Sequence, residues 1–192
     1  MQITEIKSLF ERIKRLSSGI ERKEGAGHQW SYTFPDGLET TYILKNMRNL
    51  DEIEDDIANL FIWTWNLKDY LKELAKTSNH NPEEIETMIN SDRNLQICGD
   101  IANGLKHGRL RKSRSGSYSK LDRLKVEIPH TALSSITYRG KEVEFDISKM
   151  KDVILSIAVL DNQGETIDDG FNVLSAALSQ WETYFQKIKQ AS

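Results

Sequence analysis

The spacing of hydrophobic positions changes period partway along this chain, and that change predicts its elements. From Leu50 onward, Ile53, Ile57, Leu60, Phe61, Thr64, Leu67, Leu71 and Leu74 recur every three or four positions. Such spacing predicts a long amphipathic helix, and acids in its first turns suit the positive end of the helix dipole. Ile6, Leu9, Phe10, Ile13 and Leu16 predict an earlier helix, broken by Glu24-Gly25-Ala26-Gly27. Trp30 to Phe34 reads as extended and ends in the turn signal Pro35-Asp36-Gly37. Asn81-Pro82-Glu83-Glu84 opens a short helix with Ile85, Met88 and Ile89 inward. Asn90-Ser91-Asp92 caps a further helix that Gly108 ends.

Beyond residue 123 the period becomes two. Leu124, Val126 and Ile128 alternate with polar neighbours. Ile136 and Tyr138 lead into Arg139-Gly140, with Val143, Phe145 and Ile147 beyond it, which predicts a hairpin. Val153 to Leu160 is a continuous β-type run. A last helix opens near Asp168-Asp169 and buries Val173, Leu174, Ala177, Leu178, Trp181, Phe185 and Ile188. The chain therefore reads as one α+β domain, mostly α, over 1–192. Its helical part covers about 1–108, a basic loop 109–123, and the hairpin, strand and C-terminal helix 124–190.

Composition narrows the class. With 192 residues, 38% hydrophobic and 29% charged, the chain is of ordinary globular type. No apolar run reaches the roughly 18–20 residues needed to cross a bilayer, so no membrane partner is expected. The mixed-charge start, MQITEIKSLFERIKRL, does not suit a signal peptide. Cys98 is the single cysteine, which precludes an intrachain disulfide and makes the cytoplasm the expected compartment. No zinc spacing, phosphate-cradling glycine loop or nucleophile elbow is present, so neither metal nor cofactor is expected. The net charge of −3 hides a local excess: eight basic residues between Lys106 and Lys125 face the single acid Asp122. Such an excess favours an anionic partner or self-association with the acidic stretch at residues 51–56.

Chemistry concentrates in Cys98-Gly99-Asp100-Ile101-Ala102-Asn103-Gly104-Leu105-Lys106-His107. At about 100° per residue, Ile97, Ile101 and Leu105 share an apolar stripe, while Asp100, Asn103 and His107 fall in one sector opposite. His107 is either a general acid/base, since imidazole can carry a proton in either direction near neutral pH, or a helix-end residue favoured by the dipole. Asp100 and Asn103 either orient His107 or bind a ribose hydroxyl, or else form a buried polar network that fixes helix packing or a dimer interface. Lys106, Arg109, Arg111, Lys112 and Arg114 either hold phosphates or belong to a solvated loop.

Trp63-Thr64-Trp65-Asn66-Leu67-Lys68-Asp69-Tyr70-Leu71, together with Cys98 to His107, resembles segments of bacterial HEPN-like helical proteins. The stretch from Val153 to Phe185, with Asp161, Gly164 and Trp181, is similar to the tail of that group. The resemblance implies a HEPN-like helical bundle with a small antiparallel hairpin before the C-terminal helix. It also implies a homodimer in which two copies of His107 face one another across a cleft. The implied activity is metal-independent endoribonuclease action on RNA in phage defence or a toxin–antitoxin pair, with a partner protein from the same operon. Other members of the group serve as non-enzymatic scaffolds. The family's Arg-then-His pattern is matched here by Asn103 and His107, whereas Ala102 or Asp100 stands at the Arg position. Lys106 or Arg109 would then offset phosphate charge.

Overall fold

The computed structural model describes residues 2–191; Met1 and Ser192, the ends of the predicted domain, lie outside them. The chain forms two compact units. One comprises Met1–Gly19, Asp56–Arg123 and Ile157–Ser192; the other comprises Ile20–Asp55 and Leu124–Ser156.

Helices dominate the first unit. They are α1 (Ile3–Glu21), α2 (Leu50–Thr77), α3 (Glu83–Ser91), α4 (Arg93–His107) and α5 (Gly170–Ala191), of which α1 and α2 contribute their larger parts. The predicted apolar stripes fill its core. Phe61, Leu71, Ile85, Ile97 and Trp181 are among the buried side chains, and Phe10 packs against Phe185 with ring centres 5.4 Å apart. Asn81 Oδ1 accepts from Glu83 N at 3.0 Å at the start of α3. Asp169 Oδ1 accepts from Phe171 N and Asn172 N at the start of α5, so short polar side chains take up the free amides of each first turn. Three short strands accompany these helices, β3 (Lys120–Leu121), β8 (Ala158–Leu160) and β9 (Thr166–Asp169), in the order β3-β8-β9.

The second unit departs from the predicted fold. A bundle with one small antiparallel hairpin is expected from the sequence; the structure instead holds a four-stranded mixed sheet. Its strands are β1 (His28–Thr33), β2 (Glu39–Lys45), β5 (Leu133–Arg139) and β6 (Glu142–Ile147), in the order β1-β2-β6-β5. The predicted hairpin is β5–β6, and the Pro35-Asp36-Gly37 turn joins β1 to β2. What local pattern could not reveal is the parallel pairing of β2 with β6, Tyr42 opposite Val143 and Leu44 opposite Phe145. That pairing spans the whole intervening helical segment, and no turn encodes it. A separate two-stranded ladder joins β4 (Lys125–Glu127) to β7 (Ile154–Ser156).

The apolar run Val153 to Leu160 is likewise not one strand. It divides between β7 and β8, in different sheets, on either side of the buried Ile157. Ile157 O accepts from Gly170 N at 2.7 Å, and a Cβ on Gly170 would lie 2.7 Å from the Ile157 side chain. No helix among the described residues is long and apolar enough to cross a membrane.

Candidate nucleic-acid interface

Helix α4 positions the candidate residues, and its ends are fixed as its sequence suggests. Asp92 accepts from Leu95 N at 2.8 Å, and Gly108 leaves the helix in the left-handed region at φ 69°. Gly99 allows α4 to approach α2 closely, since a Cβ there would meet the Trp65 ring at 2.7 Å. Leu95 and the continuous stretch Ile97 to Ala102 of α4 are buried. Within that stretch, burial pushes the Cys98 thiol pKa strongly upward, as expected of an inert core cysteine.

Asp100 is therefore enclosed, and its carboxylate is fully engaged. Oδ1 accepts from Arg114 N at 2.7 Å; Oδ2 accepts from Ser113 Oγ at 2.5 Å, Ser115 Oγ at 2.6 Å and Ser115 N at 3.2 Å. The two serines extend the network. Ser113 Oγ accepts from Tyr118 N and Ser115 Oγ from Ser117 N, each at 3.1 Å, while Ser115 and Ser119 hydroxyls lie 3.3 Å apart. Side chains 113, 115, 117 and 119 turn inward while 114, 116, 118 and 120 are exposed. The Ser/Gly-rich segment is thus a loop wrapped on a buried carboxylate, with its polar groups satisfied.

The three side chains that share a sector in projection do not share an environment. Asn103 and His107 lie toward the exposed end of α4, where they line an open cleft of about 560 Å³ with Arg109, Leu110, Arg111 and Lys112. Asp100 is not part of it. Among the described residues, Arg109, Arg111 and Lys112 make no ion pair, and no hydrogen bond joins Asn103 to His107. An imidazole, an amide and three uncommitted cations in one concavity can hold an anion and move a proton at it.

Two predicted phosphate ligands have other partners. Lys106 Nζ donates to Asn66 Oδ1 at 2.5 Å. Partial burial lowers its pKa, Lys68 reinforcing the effect and Asp69 opposing it. Arg114 Nη1 donates to Glu86 Oε2 at 2.9 Å, with its guanidinium 5.3 Å from the Trp65 ring centre. Glu86 also receives Lys72 Nζ at 2.5 Å. Burial pushes the Glu86 pKa up, but hydrogen bonds and charge from Lys72 and Arg114 outweigh it and hold the carboxyl below its usual range.

Local sequence did not reveal Ser113 and Ser115 as partners of Asp100, Ser119 as a neighbour of Ser115 in the same network, or Asn66 and Glu86 as partners of the two cations. Only the serines carried a signal: their period of two marks a segment with one inward-facing side. Among the described residues, no three His, Cys, Asp or Glu side chains are grouped to hold a metal ion. No protein-family model, curated protein or solved structure matches this chain.

Proposed function

We propose that this chain binds single-stranded RNA through the cleft at the end of α4, and that His107 gives it a weak metal-independent endoribonuclease activity. The observation that carries the reading is the set of three cations without carboxylate partners, Arg109, Arg111 and Lys112, lining one concavity with Asn103 and His107. Cations of this kind neutralise phosphates without reading sequence. The resemblance of Cys98 to His107 to the HEPN-like pattern points toward the same substrate. In cleavage, His107 would take the proton of a ribose 2′-hydroxyl; the freed oxygen attacks the adjacent phosphorus, the bond from phosphorus to the 5′-oxygen breaks, and that oxygen takes a proton from water, the imidazolium later returning its own proton to solvent. The products are a 2′,3′-cyclic phosphate and a 5′-hydroxyl end. Asp100, spent on the serine loop, takes no part, which leaves the imidazole without a carboxylate partner and the activity weak.

The test is a titration of labelled single-stranded RNA across a salt series. Three phosphate contacts give log K against log salt a slope of roughly −2, and replacing Arg109, Arg111 and Lys112 by alanine flattens it. A wild-type slope near zero rejects the cleft as the binding surface. Incubation of RNA in EDTA tests the chemistry, since cleavage that persists in His107→Ala excludes His107 as the proton carrier.

A second reading, a non-enzymatic module that self-associates or docks a partner protein, is favoured by the aromatic side of the four-stranded sheet. Trp30 stacks on Tyr42 at 5.3 Å, and Tyr32 and Tyr138 stand exposed, the latter at 75%. A strictly monomeric mass in solution weakens this reading and the homodimer expectation together.

A further inference from the structure

A second concavity adjoins the cationic cleft, and its chemistry is different. It is a groove of about 510 Å³ whose walls include Gly104 and Leu105 of α4 and Tyr118 and Leu121 of the returning chain. Arg109 and Leu110 line both concavities, so the two share a wall. Leu105 and Tyr118, at 42% and 44% exposure, leave apolar surface open to solvent beside a site rich in positive charge.

Gly104 is informative here. A glycine inside a helix is less stable than alanine by about 0.8–1.0 kcal/mol, so it calls for a reason. At Gly99 the reason is the Trp65 ring. At Gly104 a Cβ would meet nothing within 4 Å, and packing supplies no reason. Gly104 lines the groove, so the absent side chain leaves it wider there.

Tyr118 lines the same groove from a left-handed backbone conformation, φ 51°, with its amide donating to Ser113 Oγ. The loop on Asp100 thus holds the one aromatic side chain of the basic segment at the groove. An apolar groove with an aromatic side chain, sharing Arg109 and Leu110 with a cationic cleft, matches the two halves of a nucleotide: a flat base with faces that stack, and a phosphate.

We propose that this groove is a nucleobase subsite, in which a base lies between Gly104 and Tyr118 while its phosphate rests among Arg109, Arg111 and Lys112. The proposal rests on the RNA-binding reading and adds to it that the bases, not the backbone alone, are held. Recognition is by stacking, so the subsite tolerates any base and prefers the larger purines.

Fluorescence anisotropy with a short labelled oligoadenylate and an abasic ribose-phosphate oligomer of equal length separates the two claims. The base-bearing strand is expected to bind roughly tenfold tighter. Gly104→Leu, which fills the groove, and Tyr118→Asn, which removes the ring but tolerates the left-handed backbone, should abolish that preference. Abasic binding and the salt slope should stay as in the wild type, and Tyr118→Phe should keep the preference. Equal wild-type affinity for both oligomers overturns the subsite and leaves phosphate binding standing. A preference that survives both groove variants places the base elsewhere and overturns the subsite too. Failure of both oligomers to bind at low salt removes this proposal together with the reading beneath it. The wild-type comparison decides even if one variant does not fold.

Discussion

The basic segment contains two adjoining stretches of opposite physical character. Residues 107–112 present His107, Arg109, Arg111 and Lys112 to an open cleft, and among the described residues none of their cations finds a carboxylate. Residues 113–119 are held by Asp100 through two backbone amides and two hydroxyls, with Arg114 fastened to Glu86. A buried carboxylate with four donors is costly to disturb, whereas an exposed unpaired cation contributes little to folding. The difference shows that positive charge alone does not mark a binding surface. On the function proposed above, what marks it is charge that the fold leaves unspent, next to backbone that the fold holds still.

Removing the anchor is the most damaging way to break this division. Asp100→Ala would strand two amides and two hydroxyls in a buried site, and each stranded group costs on the order of 1–3 kcal/mol. Partial entry of water limits the sum, so a loss of about 3–4 kcal/mol in chemical denaturation is expected. Amide exchange at Arg114 and Ser115 should accelerate much more than at Leu95, which has its own cap on Asp92. Equal stability of wild type and variant would mean that the loop is held by something other than this carboxylate.

The two glycines of α4 sharpen the contrast at smaller amplitude and with opposite signs. Gly99→Ala drives a methyl to 2.7 Å from the Trp65 ring, an overpacking that costs about 1–3 kcal/mol. Gly104→Ala meets open space and regains helix propensity, so it should stabilise by up to about 1 kcal/mol. Thermal melts of the two variants should therefore fall on either side of the wild type. If both fall below it, the surface over Gly104 is not open.

How much of this was legible in the sequence follows the range of the interactions involved. The cap at Asp92, the end at Gly108 and the stripes of α2, α3 and α5 are settled within a few residues, and local spacing displays them. The grouping of Asp100, Asn103 and His107 was legible only in projection. Two residues seven apart on a helix share a direction but lie about 10 Å apart along the axis, enough for one to be enclosed while the other is exposed. The serine loop closes over Asp100 from 13 to 15 positions later, beyond any helical or turn period. Its alternation of buried serines with exposed Arg114, Gly116 and Tyr118 was written in the sequence, but a composition of Ser, Gly and Arg reads first as a solvated loop. The β2–β6 pairing left no local trace at all, which is why the four-stranded sheet was missed.

The gentlest way to test the division is to lower the pH. The usual glutamate value is 4.5, and Glu86 lies below it in the folded chain because Lys72 and Arg114 together outweigh the effect of burial. A carboxyl whose folded pKa is depressed stabilises the fold fully above its unfolded value, and that stability is lost as pH falls through the folded value. Stability should therefore decline below about pH 4.5, and part of the decline should belong to the ion pairs that fasten Arg114. Glu86→Gln isolates that part. It should lower stability modestly at neutral pH and give a shallower acid slope than the wild type, the two curves converging as the pH falls. RNA affinity at neutral pH should change less in Glu86→Gln than in the triple alanine variant of Arg109, Arg111 and Lys112, because Arg114 faces Glu86 and Trp65 instead of the cleft. A larger loss of affinity in Glu86→Gln would mean that the pinned half of the segment, and not the free half, touches the ligand.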